Sequence, residues 1–297
     1  MTSAAAPLDP RRHAFRPDLA CEGLRGRVDA ARFVQGEPCQ VARSAVPLRG
    51  RPDATAGIDT EALFGERARL LEAQNGWAWV QLMRDRYVGY APLAAFTQEV
   101  VEPTHRVRSL GTFVYPGPDI KLPPMMHLSL GSELCVSGAS GDFMELKTGG
   151  FIVPRHVCEC SRHVRDFVEI AERLIGTPYL WGGRTRIGLD CSGLVQVAME
   201  AAGLAAPRDS DMQRDEVGVP VTLQDDFEGM QRGDLVFWRG HVGIMADAVM
   251  MVHANAHHMA VALETLPEAT ERIARAGGGP IVAIKRVGAL SAAGGVA

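Results

Sequence analysis

His163-Val164-Arg165-Asp166-Phe167-Val168-Glu169-Ile170-Ala171-Glu172-Arg173-Leu174-Ile175-Gly176 is where the texture of the chain changes. Val164, Phe167, Ile170, Ala171, Leu174 and Ile175 recur at three- and four-residue intervals, which predicts one apolar helix face across the stretch. A loop through Thr177–Gly183 follows, and a second helical pattern runs through Leu194, Val195, Ala198 and Ala202 to stop at Gly203. After it come strand-like runs: DLVFW at 234–238, HVGIMA at 241–246, MMVHA at 250–254 with MAVAL at 259–263, and IVAIKRV at 281–287. Helices first and an antiparallel sheet afterwards predict an α+β domain over 161–291, with 292–297 as a flexible tail.

Upstream the pattern is short apolar runs broken by turns. Residues 31–100 include Trp77, Trp79, Val80 and Leu82 in imperfect alternation directly after Asn75-Gly76, a hairpin-turn pair, and so read as a small β unit. Residues 101–160 repeat the texture: FMELK near 143 stands where WAWVQL stands near 77, and GFIVP ends its unit as GYAPL ends the first. Residues 1–30, rich in Pro, Arg and Ala, read as an irregular arm.

Cys191 stands at the start of the second helical pattern, after Asp190, a residue suited to cap a helix. Amides at a helix N-terminus favour an anion, so the position is expected to lower the thiol pKa and to receive charge from a tetrahedral intermediate. His241 begins one strand and His253 ends the next, so a hairpin through the Asp247 region would bring them together as base and orienting residue. Taken alone, a cysteine in an Ala-rich helix also reads as a small buried hydrophobe, and a histidine beside Val and Ile as a structural residue.

Tyr179-Leu180-Trp181-Gly182-Gly183, Asp190-Cys191-Ser192-Gly193-Leu194-Val195, Gly233–Trp238, His241-Val242-Gly243-Ile244 and His253-Ala254, in that order, resemble the NlpC/P60 family of papain-like cell-wall peptidases. The resemblance implies Cys191 as nucleophile, His241 as base and His253 as its orienting residue. Tyr179 then helps shape the oxyanion site, Asp190 and Ser192 line the groove, and Trp181 and Trp238 pack in the core or at the rim. The two upstream units resemble the bacterial SH3-like modules that accompany this domain in enzymes cutting γ-D-glutamyl bonds. On that resemblance Glu66 and Tyr87, with Tyr90 as substitute for Tyr87, join Asp190 in recognising the amine of an N-terminal L-Ala. The fold expected is multidomain: two small all-β SH3-like barrels followed by an α+β papain-like domain.

The charge balance of 31 basic against 35 acidic residues, without a long basic block, argues against a nucleic-acid partner. No apolar run is long enough for a signal-peptide core or a bilayer span, and the six cysteines form no disulfide framework. A cytoplasmic protein with free thiols, no membrane partner, no cofactor and a murein-derived peptide as substrate is the expectation; the oligomeric state stays open. Three other readings compete. One is zinc hydrolysis through His253, His257, His258 and His241, against which stands the absence of an HExxH motif. Another is a wall-binding scaffold with an inactive peptidase domain. The last is a broader hydrolase of intact murein, with transacylation open to any thioester enzyme.

Overall fold

The computed structural model describes residues 8–222 and 227–288; the tail expected at 292–297 and the first seven residues of the arm lie outside them. The chain divides into two compact units between Cys160 and Ser161. Among the described residues no helix is long and apolar enough to cross a membrane.

In the first unit, an antiparallel sheet runs in the order Val88–Pro92, Trp77–Leu82, Arg67–Gln74, Glu37–Val41, Phe96–Thr97, accompanied by a hairpin of Ala45–Leu48 and Thr60–Leu63. Asn75 and Gly76 take φ of 50° and 78°, the paired positive values that a tight two-residue hairpin turn needs and that Asn and Gly tolerate best. Val41, Val46, Leu48, Ala68, Val80 and Leu82 close one core. The imperfect alternation at 77–82 has a physical cause: the sheet is covered on both faces. Ala14, Leu19, Cys21 and Leu24, from the segment expected to be an irregular arm, bury themselves against Leu71 and Trp79. The arm is thus part of the fold, and it holds a short strand, Ala20–Cys21, paired in parallel with Phe33–Val34.

A second all-β half follows, with sheet order Met126–Ser129, Gly111–Tyr115, Phe151–Ile152, Phe143–Leu146, Val136–Ser140. Its core contains Val107, Val114, Leu128, Leu146 and Ile152, together with Phe64 from the first half. In each half a single 3₁₀ turn, Leu93–Ala95 or Pro154–His156, leads into a short strand: Phe96–Thr97 adds to the edge of the first sheet, whereas Val157–Glu159 pairs with His105–Val107 in a separate three-stranded sheet.

The second unit is a six-stranded antiparallel sheet in the order Val219–Pro220, Ala283–Arg286, Asp234–Trp238, His241–Met245, Met250–Asn255, Ala260–Thr265. Helix α1, Phe167–Arg173, is shorter than its apolar spacing predicts. Asp166 accepts from the Val168 amide at 2.9 Å and caps it there, and Ile175 lies beyond its end, exposed. Helix α2, Cys191–Ala201, ends just before Gly203, whose φ is 76°. It packs on α1 and on the His241–Met245 strand. Two helices were not anticipated: α3, Ser210–Glu216, and α4, Leu266–Arg275, which interrupts the expected run of strands.

Candidate active site

The first turn of α2 is held from several sides. The Oδ1 atom of Asp190 accepts from the Gly193 amide at 2.7 Å and from Arg208 Nη1 at 3.0 Å, while Oδ2 accepts from the Gly182 amide at 2.9 Å and Arg208 Nη2 at 2.7 Å. Arg208 also donates to Ser192 Oγ at 2.9 Å. Gln213 of α3 donates to the carbonyls of Ser192, 2.9 Å, and Pro207, 2.8 Å. Gly193 permits this packing, because a Cβ there would sit 2.2 Å from the Gly183 carbonyl oxygen. The result presents Cys191 at the helix start, buried, with the backbone amides of Val242 and Ser192 acting on its sulfur to favour the thiolate.

Val242 follows His241, so the same strand that offers an amide to the thiol carries the imidazole. His241 Nε2 lies 3.0 Å from His253 Nδ1, and His253 Nε2 lies 3.1 Å from Glu264 Oε2. The strands pair as the hairpin expectation requires, with the turn held by Asp247 Oδ1, which accepts from the amides of Val249 and Met250 at 2.7 and 2.8 Å. His253 stands two residues inside its strand, which runs on to Asn255. Glu264 is a member of the line that sequence reading missed. It accepts from Arg272 Nε at 2.9 Å and Nη2 at 2.7 Å, and that pairing holds its carboxyl below the usual range. An ionised Glu264 only accepts, so His253 Nε2 carries a proton, His253 Nδ1 accepts, and His241 Nε2–H donates to it. His241 Nδ1 is thereby left with an open lone pair.

Electrostatics depart from expectation. Burial, reinforced by the Asp190 carboxylate, pushes the Cys191 thiol up to about 12 despite the two amides at the sulfur. Burial also lowers His241 to about 3 and His253 to about 4. The resting site therefore holds a neutral thiol and neutral imidazoles, and the helix start alone does not produce a thiolate. A stability consequence follows for both histidines, His253 being fully buried and His241 keeping an edge to solvent. The folded pKa of His253 lies below the ordinary imidazole value of 6.5, so its contribution is fully present above pH 6.5 and is lost as pH falls toward about 4. Within that window unfolding takes up about one proton at His253, a slope of about 1.4 kcal/mol per pH unit. Urea titrations at a series of pH values check this. His253→Asn should flatten the slope, and stability that stays level from pH 6.5 to 4.5 contradicts the burial argument.

Several other expected residues sit differently. Tyr179 is half-buried, its backbone amide bonded to the Met259 carbonyl at 2.9 Å. Burial first, then the neighbouring Cys191 and Asp190, keep its phenol protonated. Ser192 is tied into the Arg208 network rather than open to a groove. Asp190, expected to meet a substrate amine, has both oxygens engaged by Arg208 and backbone amides and serves as cap and anchor. Arg208 itself, 1% exposed, was not singled out from sequence. Trp238 is buried and its ring lies 5.8 Å from that of His241, whereas Trp181 is exposed.

Glu66, Tyr87 and Tyr90 belong to the first unit. Glu66 is buried and paired with Arg84 at 2.9 Å, an internal ion pair in place of an open carboxylate. Tyr87 packs in the first core. Tyr90 lies three residues on, on the opposite strand face, where its ring stacks on Trp79 and its hydroxyl accepts from Arg16 at 2.7 Å. Of the four histidines weighed for zinc, His257 only stacks edge-on to His258. All six cysteines are free thiols.

Comparison with known proteins agrees with this architecture. Residues 176–274 match the NlpC/P60 family, and residues 48–96 match the bacterial dipeptidyl-peptidase Sh3 domain. Dipeptidyl-peptidase 6 of Lysinibacillus sphaericus is 28% identical over 245 residues, covering 74% of this chain and 89% of its own. Gamma-D-glutamyl-L-lysine dipeptidyl-peptidase of Bacillus subtilis (strain 168) is 27% identical over 236 residues, covering 71% and 77%. Among solved structures, an NlpC/P60 family protein from Bacillus cereus ATCC 10987 superposes with a TM-score of 0.70 at 19% identity, covering 84% of this chain and 99% of that one.

Proposed function

We propose that this chain, which carries an NlpC/P60 peptidase domain and ahead of it a bacterial dipeptidyl-peptidase SH3 domain, hydrolyses the γ-D-glutamyl–L-diamino acid bond of murein-derived peptides with a free N-terminal L-Ala. The observation that carries the reading is the line Glu264–His253–His241, whose tautomers leave the His241 Nδ1 lone pair for the Cys191 proton. Two relatives whose names specify release of dipeptides, one of them at a γ-D-glutamyl-L-lysine bond, support the bond and the free amino end. The second β half, with a five-stranded sheet and a core of its own, is read as a second SH3-like barrel, and the catalytic unit as papain-like. Six free thiols support action in a reducing compartment, the cytoplasm.

His241 Nδ1 takes the thiol proton as Cys191 Sγ attacks the γ-carbonyl carbon. Starting from a neutral pair, proton transfer and attack are coupled, and the imidazolium that forms is stabilised through His253 by Glu264. Amides at the helix start and the protonated Tyr179 hydroxyl donate to the oxyanion. Collapse expels the diamino acid amine with the proton from His241 and leaves a thioester. Water, deprotonated by the same imidazole, then releases the acyl peptide and restores the thiol.

The test is a substrate panel: L-Ala-γ-D-Glu-diamino acid, its N-acetyl analogue, and purified murein. The free peptide should be cleaved at the γ-glutamyl bond, with acetylation lowering kcat/KM by at least about tenfold, equivalent to about 1.4 kcal/mol. Equal cleavage of free and acetylated peptide, or fast release of fragments from murein, would replace this reading with a broader wall hydrolase.

A further inference from the structure

His253 reaches beyond the catalytic line. Together with His258 and Glu264 it offers three ligand atoms, all within 4.8 Å of one another. We propose that these three side chains form a binding site for a divalent first-row cation, zinc above all, and that its occupation switches the peptidase off.

The donor set is the first support. Two imidazoles and a carboxylate are a zinc ligand set that leaves coordination positions for water. Ligand orientation is the second. The Asn255 side-chain oxygen accepts from the His258 backbone amide at 2.8 Å and lies 3.0 Å from its Nδ1. An oxygen so engaged faces a ring N–H, so His258 keeps its lone pair on Nε2, the arrangement in which a ligating histidine donates its other nitrogen to an oxygen. His253 is held likewise, Nδ1 on His241 and Nε2 toward Glu264. Tetrahedral zinc with bonds of about 2.0–2.1 Å separates its ligand atoms by roughly 3.4 Å. The cluster must therefore contract, and His258 is exposed and can move inward. Arg272, bonded to both oxygens of Glu264, opposes a second cation there, which fits a reversible regulatory ion rather than a resident one.

Inhibition follows from proton positions and rests on the assignment of Cys191 and His241 above. A metal on His253 Nε2 displaces the proton held there, which leaves to solvent. Neutral His253 then needs its proton on Nδ1 and takes it from His241 Nε2. His241 stays neutral by taking one proton from solvent on Nδ1, so both imidazoles keep their charge and the net proton exchange is zero. The nitrogen that must accept the Cys191 proton is then already protonated, and the base is lost while its ring stays in place.

Calorimetric titration of Zn²⁺ into the full chain carrying Cys191→Ala separates this site from zinc caught on the catalytic thiol and needs no activity. One ion per chain should bind, and adding His258→Ala should weaken it at least about tenfold. In the active protein His258→Ala, an exposed position outside the catalytic line, should leave basal kcat/KM unchanged and raise the zinc inhibition constant by the same factor. Zinc binding lost with Cys191→Ala alone, or unaltered by His258→Ala, overturns the proposal. The calorimetric arm decides the metal site even if the peptide panel fails.

Discussion

Replacement of Cys191 by alanine should lower kcat/KM on the peptide substrate proposed above by roughly 10⁵-fold while the protein stays folded. The size of the effect comes from the chemistry: no thioester forms without the sulfur, and what remains is positioning and oxyanion stabilisation of a water attack. The fold survives because alanine is the best helix former and the change removes only a small side chain at the start of α2. Asp190 keeps its cap, since its carboxylate accepts from Gly182, Gly193, Ser192 and Arg208, whose positions do not depend on the thiol. Circular dichroism melts within a few degrees of wild type establish folding, and the peptide assay reads the loss. Turnover within tenfold of wild type would remove Cys191 from the mechanism.

How much of this was legible in the sequence depends on the range of each interaction. The hairpin at Asn75-Gly76, the cap at Asp190, the face of α1 and the pairing of the His241 and His253 strands are local or nearest-neighbour features, and residue type plus spacing reveals them. The family resemblance ordered the same residues into roles. Other features were legible and passed over. Thr265-Leu266-Pro267-Glu268 is a capping box with an early proline, and in the structure Thr265 accepts from the Glu268 amide and opens α4. Glu264 stands on the strand face shared with His253, since His253 pairs with Ala262 and alternation sends 262 and 264 the same way. Reading that alternation would have supplied the carboxylate that fixes both histidine tautomers.

Tertiary pairing hid the rest. Arg208 sits in a stretch with no period and no motif, and only the folded chain places it on Asp190, 18 residues away. The expectation of a depressed thiol pKa failed for the same reason: the helix start was visible, but the depth of burial and the neighbouring carboxylate were not. Glu66 looked like a solvent-facing or substrate-facing acid because its burial and its partner Arg84 could not be inferred from spacing.

Arg208→Ala should be strongly destabilising, costing on the order of 3–5 kcal/mol. The guanidinium is 1% exposed and makes parallel bonds of 3.0 and 2.7 Å to the two oxygens of Asp190, a bidentate pair closed off from water. Removing it leaves the Asp190 carboxylate buried with backbone amides but without its countercharge, and also strips Ser192 Oγ of a donor at 2.9 Å. Lysine cannot reproduce the fork, so Arg208→Lys should recover part of the loss and no more. A cost of that size corresponds to a fall in Tm of roughly 10–20 °C for a unit of this length. The companion change Asp190→Asn, combined with Arg208→Ala, should be less damaging than the sum of the two singles, because the neutral amide no longer needs the countercharge. Thermal melts of the four proteins measure both quantities. A loss below about 1 kcal/mol for Arg208→Ala, or strict additivity of the two changes, would show that the pair does not hold the start of α2, and that Cys191 is positioned by the surrounding backbone alone.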